Sequence, residues 1–214
     1  MSRLLIATTN PAKLAEYRLI LRELGIDVKL KSLNDVGISE SPEETGSTFA
    51  ENALLKARFY FDRARLATLA DDGGLEIDAL AGEPGVKSHR WLNSGHDDSD
   101  EALVAEVIRR MKGVEAPRRT ARMRVALALR YEDGNGAVHE KIAEGAIEGV
   151  IADRAYPQIR RGFPYRSVLV VPGRGYLGEL GDQEEAQISQ RRIALLKLRD
   201  TLDRIAAGHD AHLL

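Results

Sequence analysis

The stretch LADDGGLEIDALAGEPGV, Leu69 to Val86, places two neighbouring carboxylates and two glycines directly after an apolar run. The apolar residues 66–70 predict a strand that leads into the acids. Successive side chains of an extended strand point to opposite faces, so Asp71 and Asp72 reach one site only if the strand breaks between them. The two glycines permit such a break. We therefore expect Asp72 to face a functional site and Asp71 to fix a turn; a strand that ends in a polar turn is the structural alternative.

Composition limits the classes of protein to which the chain can belong. Its 214 residues, 43% hydrophobic and 30% charged, suffice for one generous globular domain or two small lobes. A net charge of −2 argues against nucleic-acid and anionic-membrane partners. No run approaches the roughly 20 apolar residues of a membrane span, and the first residues lack the apolar core of a signal peptide. Because cysteine is absent, we expect a cytoplasmic protein whose chemistry uses carboxylates, cations and glycines.

Helices are predicted where a capping residue precedes apolar residues at helical spacing. The first helix begins after the N-cap Asn10 and ends at Gly25. Thr48 and Glu51 form a capping box that starts the second helix. Apolar periodicity near the end of the chain predicts a single closing helix over 183–205.

Strands alternate with these helices and give the fold class. Residues 125–131 and 137–143 flank the hairpin signal EDGNG, and further strands are predicted over 146–151 and 167–171. The order of elements predicts an α/β fold with an elongated mixed central sheet, whose helices form two lobes around a cleft. We expect one domain over residues 1–214.

Two loops that precede helices carry candidate charged residues. TTNPAK, Thr8 to Lys13, presents free backbone N–H groups at a helix N-terminus, which favours anion binding, and Lys13 adds a positive charge. An ordinary capped turn is the alternative. In PEETGSTFAENALLKA, residues 42–57, Glu44 has no evident structural role, whereas Lys56 is most simply a solvated helix charge.

Five sequence blocks, in order along nearly the whole chain, resemble the inosine triphosphatase family of house-cleaning purine nucleoside triphosphate pyrophosphatases. The blocks are ATTNPAKLAEY, EETGSTFAENALLKA, LADDGGLEIDALAGEPGVKSHRW, GFPY and ISQRRIALLKL. The resemblance implies a mixed α/β fold with a central cleft, a homodimer, and magnesium-dependent hydrolysis of a nucleoside triphosphate to the monophosphate and pyrophosphate.

The resemblance also assigns roles to residues of this chain. Phosphate binding falls to Thr8, Asn10, Lys13 and Lys56. Glu44 and Asp72 would hold Mg²⁺, and Asp72 would also accept a proton from the attacking water, which agrees with the argument from the strand. Lys13 would further act in catalysis by stabilising the leaving pyrophosphate.

Departures from the family pattern cluster in the segments that the resemblance assigns to the nucleobase pocket. Arg166 replaces the family's aspartate, Glu185 a lysine, Gln190 a histidine, Gly73 a serine, Pro164 a glycine and Ser167 a proline. Since two of these changes are opposite charge reversals, Arg166 and Glu185 are predicted to form one ion pair with its polarity swapped. A separation of their charged ends beyond about 6 Å would contradict this.

The remaining candidates for substrate binding keep structural alternatives. Phe163 and Tyr165 are either core residues or walls that stack on a base. Arg191 either grips phosphate or base, or belongs to a solvated basic turn. The resemblance implies hydrolysis of noncanonical purine triphosphates such as ITP, XTP and dITP; the alternatives are a changed base specificity and a catalytically impaired nucleotide-binding paralogue.

Overall fold

The computed structural model describes residues 2–92 and 96–208. The strands in these ranges are β1 (Arg3–Ala7), β2 (Lys29–Lys31), β3 (Ala67–Ile77), β4 (Thr120–Glu132), β5 (Val138–Ile151), β6 (Leu169–Val171) and β7 (Gly175–Tyr176). The α-helices are α1 (Pro11–Glu23), α2 (Phe49–Ala64), α3 (Asp100–Arg110), α4 (Asp182–Ile188), α5 (Gln190–Lys197) and α6 (Arg199–Ala206). None of the described helices has the length and apolar content that crossing a bilayer requires.

The seven strands form one sheet in the order β2-β1-β3-β4-β5-β6-β7. β1 pairs in parallel with β2 and β3, whereas β6 pairs antiparallel with β5 and β7. Parallel and antiparallel pairs in one sheet, with helices between strands, confirm the predicted α/β class and the mixed sheet.

The starts of α1 and α2 are set by the capping residues that the sequence indicates. The side chain of Asn10 accepts hydrogen bonds from the backbone N–H groups of Ala12 and Lys13. Thr48 and Glu51 form the complete capping box at the start of α2. Gly25, just after α1, has a φ of 69°, a left-handed conformation that glycine adopts without steric cost.

The predicted break in the acidic strand is wrong. β3 continues through Asp71, Asp72 and both glycines to Ile77, and Asp71 fixes no turn. The strand extends because the residues after the acids, Leu75 and Ile77, are both fully buried. They therefore supply apolar packing beyond the charged pair, and the glycines lie inside the strand.

Two other boundaries also differ from prediction. The segment 146–151 is no separate strand but the second half of β5, which runs unbroken from Val138. The expected closing helix over 183–205 is three helices, interrupted at Ser189, whose ψ of 136° is not helical, and at Leu198. Neither residue is glycine or proline, so apolar periodicity alone gives no sign of the interruptions.

The chain divides into two compact units. The first comprises Met1–Asp72, Val125–Gly145 and Gln190–Leu214, and the second comprises Gly73–Arg124 and Ala146–Ser189. Large fully buried side chains of the first unit include Leu4, Leu5, Ile6, Tyr17 and Leu127. The core of the second unit packs α3 residues such as Leu103 and Val107 with Leu75, Ile77 and Ile147.

Candidate active site

A lysine ammonium joins two carboxylates in the first unit. Lys56 Nζ on α2 lies 3.2 Å from Glu44 Oε1 and 3.1 Å from Asp72 Oδ1. The side chains of Lys56 and Asp72 are each 12% exposed, and that of Glu44 is 30% exposed. The loop acid and the second acid of the doublet therefore converge on one positive charge, as a shared cation site requires.

An amide holds the same acid from the other side. Asn52 Nδ2 donates to Asp72 Oδ2 at 3.2 Å, and Asn52 Oδ1 accepts from the backbone N–H of Gly46 at 2.7 Å. Asn52 is buried on α2. The two oxygens of Asp72 thus have different partners, Asn52 on one and Lys56 on the other.

The electrostatics of the group favour a bound cation. Burial raises the pKa of Asp72, the nearby Glu44 raises it further, and Lys56 opposes both effects. Burial lowers the pKa of Lys56, but the two acids outweigh burial and raise it above its ordinary value. Two carboxylates that share a positive charge suit Mg²⁺, which proteins bind through one or two carboxylates together with substrate phosphates.

Within the described residues, Glu44 and Asp72 are the acids available for a metal ion at this position. Across residues 2–92 and 96–208, no group of three or more histidine, cysteine, aspartate or glutamate side chains is arranged to hold a metal ion. Glu44 and Asp72 therefore fit a metal whose remaining ligands come from phosphate and water, rather than an all-protein cage.

The first acid of the doublet belongs to a second charged group. Asp71, buried, lies 3.3 Å from Lys13 Nζ and 3.0 Å from Arg191 Nη2, and Arg191 Nη1 also contacts Glu16 at 3.1 Å. Burial raises the pKa of Asp71, but the charges of Lys13 and Arg191 outweigh burial and hold it well below its ordinary value. The structure therefore brings Lys13 together with Arg191, and Arg191 is no part of a solvated turn.

The loop before α1 differs in part from expectation. The backbone N–H groups of Ala12 and Lys13, expected to be free for an anion, both donate to Asn10 Oδ1. The hydroxyl of Thr8 accepts from the backbone N–H of Asn10 at 3.1 Å. The capped-turn alternative therefore describes Thr8 and Asn10 as they stand, and the Lys13 side chain is the charged group that this loop contributes.

The charge-reversed pair forms within the second unit. Arg166 Nε lies 2.7 Å from Glu185 Oε1, and both side chains are buried. Arg160 Nη1 contacts the same carboxylate at 2.9 Å, and the Arg166 guanidinium lies 3.6 Å from the centre of the Phe163 ring. The predicted Arg166–Glu185 ion pair is confirmed.

The structure also places the other residues that are predicted to bind substrate. Tyr165 belongs to the core of the second unit, and its hydroxyl donates to the carbonyl of Ser88 at 2.5 Å, which supports the core alternative. Gly73 lies inside β3. Gln190, the first residue of α5, is buried.

Three participants were missed at the sequence level: Asn52, Glu16 and Arg160. Asn52 carried a usable signal, because it occupies the buried side of α2 with Phe49, Ala53 and Ala57, where a polar residue needs a partner. Glu16 and Arg160 meet their partners across 175 and 25 positions of sequence, and no local pattern indicates such pairs.

Two carboxylates bridged by a lysine, on an α/β fold, fit an enzyme that handles phosphorylated ligands, and the comparisons identify the family. The sequence model of the Ham1 family matches residues 4–201, so the chain belongs to the Ham1 family. The resemblance inferred from the five sequence blocks is confirmed.

Individual relatives cover nearly the whole chain. The dITP/XTP pyrophosphatase of Bacillus subtilis (strain 168) is 40% identical over 204 residues, which are 95% of this chain and 98% of that protein. The solved structure of a HAM1 protein from Coxiella burnetii has a TM-score of 0.78 at 34% identity and covers 94% of this chain and 98% of its own. A nucleoside-triphosphatase / dITP/XTP pyrophosphatase from Mycobacterium abscessus has a TM-score of 0.69 at 38% identity, with 92% and 97% covered.

Proposed function

We propose that this chain is a nucleoside triphosphate pyrophosphatase, which cleaves the bond between the α- and β-phosphates and yields the monophosphate and pyrophosphate. The observation that carries the proposal is the convergence of Glu44 and Asp72 on the Lys56 ammonium in a chain of the Ham1 family. The substrates proposed are noncanonical purine triphosphates of the ITP, XTP and dITP class, in keeping with the names of the relatives.

The candidate site residues of the first unit each have a proposed task. Glu44 and Asp72 hold Mg²⁺, which when bound neutralises phosphate charge and activates water. Asp72 accepts the proton of the attacking water. Lys13 and Lys56 neutralise phosphate oxygens, so the negative charge of the leaving pyrophosphate is stabilised. Thr8, Asn10 and Arg191 are proposed as further phosphate contacts.

Residues of the second unit are proposed to govern the base. Arg166 and Glu185 replace an acid and a lysine that the family resemblance assigns to the nucleobase. Phe163, Gly73 and Tyr165, together with Gln190 at the start of α5, complete the proposed substrate contacts. The reversed pair, buried and intact, favours a second candidate: an altered base preference with the same hydrolysis. A nucleotide-binding protein without activity is the remaining alternative.

The finer properties of the protein are proposals of the same kind. We propose Mg²⁺ as the cofactor, a homodimer as the assembly, a cytoplasmic location, and one functional domain over residues 1–214. The net charge of −2 supports a small-molecule substrate rather than nucleic acid.

The test is a phosphate-release panel with ITP, XTP, dITP, ATP and GTP in the presence of Mg²⁺. Each reaction is run with and without inorganic pyrophosphatase. Phosphate that appears only with the added enzyme identifies pyrophosphate as the product, whereas phosphate in its absence indicates cleavage at the γ-position and contradicts the proposal.

Two variants supply controls. Asp72→Asn should abolish release, because it removes both a metal ligand and the proton acceptor. The exposed Glu115→Gln should leave release unchanged. If the unmodified chain releases no phosphate from any triphosphate of the panel but still binds nucleotide in calorimetry, the result supports the inactive paralogue. Turnover of ATP or GTP above that of ITP, XTP and dITP supports the altered base preference.

A further inference from the structure

We propose that Asn52 is a positioning residue that fixes the Asp72 carboxylate relative to the loop that carries Glu44. The inference rests on the function proposed above, in which these two acids hold the metal. Asn52 touches neither phosphate nor metal in this proposal, and it acts through the two groups that its side-chain amide connects.

The orientation of the amide follows from the chemistry of its partners. The Gly46 backbone N–H can only donate, so the atom 2.7 Å away must be the Asn52 carbonyl oxygen. The amide nitrogen then faces Asp72 Oδ2 at 3.2 Å, where an ionised carboxylate can only accept. Reversing the amide would oppose donor to donor and acceptor to acceptor, so both contacts require asparagine in this one orientation.

The amide connects two separate parts of the chain that must meet for metal binding. Gly46 lies two residues after Glu44 in the loop before α2, and Asp72 lies in β3. A planar amide has a fixed separation between its oxygen and nitrogen, so the loop backbone and the Asp72 carboxylate are tied at a fixed distance. With Lys56 on the other oxygen of Asp72, the carboxylate has contacts on both sides and its rotation is restricted.

The fit on the loop side is tight. A Cβ added at Gly46 would lie 2.6 Å from Asn52 Oδ1, closer than carbon and oxygen can approach. Glycine at 46 is therefore required for the loop backbone to reach the amide. Asn52 itself is only 2% exposed, so water does not readily replace either contact.

The experiment compares Asn52→Leu with the unmodified chain and a matched control. Leucine keeps the number and branching of the side-chain heavy atoms and removes both hydrogen bonds. The control is Ser88→Ala in the second unit, because Ser88 is equally buried and its hydroxyl also makes two hydrogen bonds, to Leu75 N and Gly85 O. Readouts are Mn²⁺ binding by electron paramagnetic resonance without nucleotide, kcat and KM for ITP, and the circular dichroism melting temperature.

We expect Asn52→Leu to weaken Mn²⁺ binding and to lower kcat, each by about 10–100-fold, as is usual for residues that orient metal ligands. KM should change by no more than about threefold, because the phosphate-binding lysines keep their places. Ser88→Ala should lose thermal stability to a similar degree while its Mn²⁺ affinity and kcat stay as in the unmodified chain. A folded Asn52→Leu with unchanged Mn²⁺ affinity and kcat overturns the proposal.

A second variant decides the matter if Asn52→Leu does not fold. Gly46→Ala replaces no acid or lysine, and its Cβ would lie 2.6 Å from Asn52 Oδ1, with Glu51 Cβ at 2.8 Å and Asn52 N at 2.9 Å. A drop in both Mn²⁺ affinity and kcat supports the proposal, and unchanged values overturn it. If the unmodified chain releases no pyrophosphate from any triphosphate, the proposed function fails, while Mn²⁺ binding still tests the role of Asn52.

Discussion

The Lys56 ammonium, which bridges Glu44 and Asp72, leads to a prediction about the stability of the variant Lys56→Met. Methionine keeps most of the length of the side chain and removes its charge, so Glu44 and Asp72 lose their shared counter-ion. We expect the variant to be less stable than the unmodified chain without metal, and to regain more stability than that chain when a divalent cation is added.

The size of the effect follows from the geometry. Contacts of 3.2 Å and 3.1 Å are each worth about 5 kcal/mol at an effective dielectric constant of about 20, before the cost of desolvation. Measured losses on breaking a buried pair are about 3–5 kcal/mol. Since the side chain of Glu44 is 30% exposed and therefore screened, we expect the lower value, about 3 kcal/mol. For a chain of this length, the melting temperature should fall by roughly 6–12 °C.

The assay is thermal unfolding, with EDTA or with Mg²⁺ at saturating concentration. In the unmodified chain a metal ion must displace the ammonium from the carboxylates, whereas in Lys56→Met the carboxylates are available. A concentration about 100 times Kd adds about 2.7 kcal/mol, which would restore most of the loss. Lys56→Arg, which keeps the charge, and the exposed Lys29→Met are the controls. Equal melting temperatures without metal, or an equal Mg²⁺ shift in both proteins, would refute the reasoning.

Three further predictions concern other parts of the chain. Asp71→Asn should cost about 3–5 kcal/mol at pH 7, because Lys13 and the buried Arg191 both lose the Asp71 carboxylate, although Arg191 keeps its contact with Glu16. The two cations depress the pKa of Asp71 in the folded protein, so its contribution to stability is present above the unfolded pKa of about 3.9 and is lost as the pH falls toward the folded pKa. Urea titrations should therefore show that the difference in unfolding free energy between the unmodified chain and Asp71→Asn becomes smaller below about pH 4. Gly145→Ala would place a Cβ 2.1 Å from the Gln190 carbonyl oxygen and should lower stability by about 1–3 kcal/mol, while Gly181→Ala, with no atom within 4 Å, should be nearly neutral in the same melts. Arg119→Met leaves four backbone carbonyls without their guanidinium donor and should cost at least about 3 kcal/mol in calorimetry; a loss below about 1 kcal/mol would mean that water satisfies them.

Much of the fold could be predicted because its signals are local. Asn10 and the Thr48–Glu51 pair mark helix starts through hydrogen bonds within four residues, and the structure shows those bonds. Apolar periodicity does not predict the three-way division of the closing helix, since neither Ser189 nor Leu198 is a glycine or proline that would mark an interruption.

The residues of the candidate site likewise include some that a local sequence signal indicates and some that depend on distant partners. The expectation for Asp72 rests on a broken strand, which the structure contradicts, but the alternation of side chains along the strand holds: Asp71 and Asp72 have different partners. The role of Asp71 depends on Arg191, which is 120 positions away in the sequence. The importance of Asn52 could be predicted from the sequence, because a lone amide on the apolar side of a helix needs a hydrogen-bonding partner.

The unbroken course of β3 has a consequence for how this region can change. Adjacent acids on one strand face opposite sides of it, so deleting or inserting a single residue ahead of position 71 would move one carboxylate into the place of the other and leave the remaining place without an acid. The length of a loop can change without this effect, whereas the number of residues from Ala67 to Asp72 is constrained. A shift of one residue in this strand would disturb both groups of charges at once.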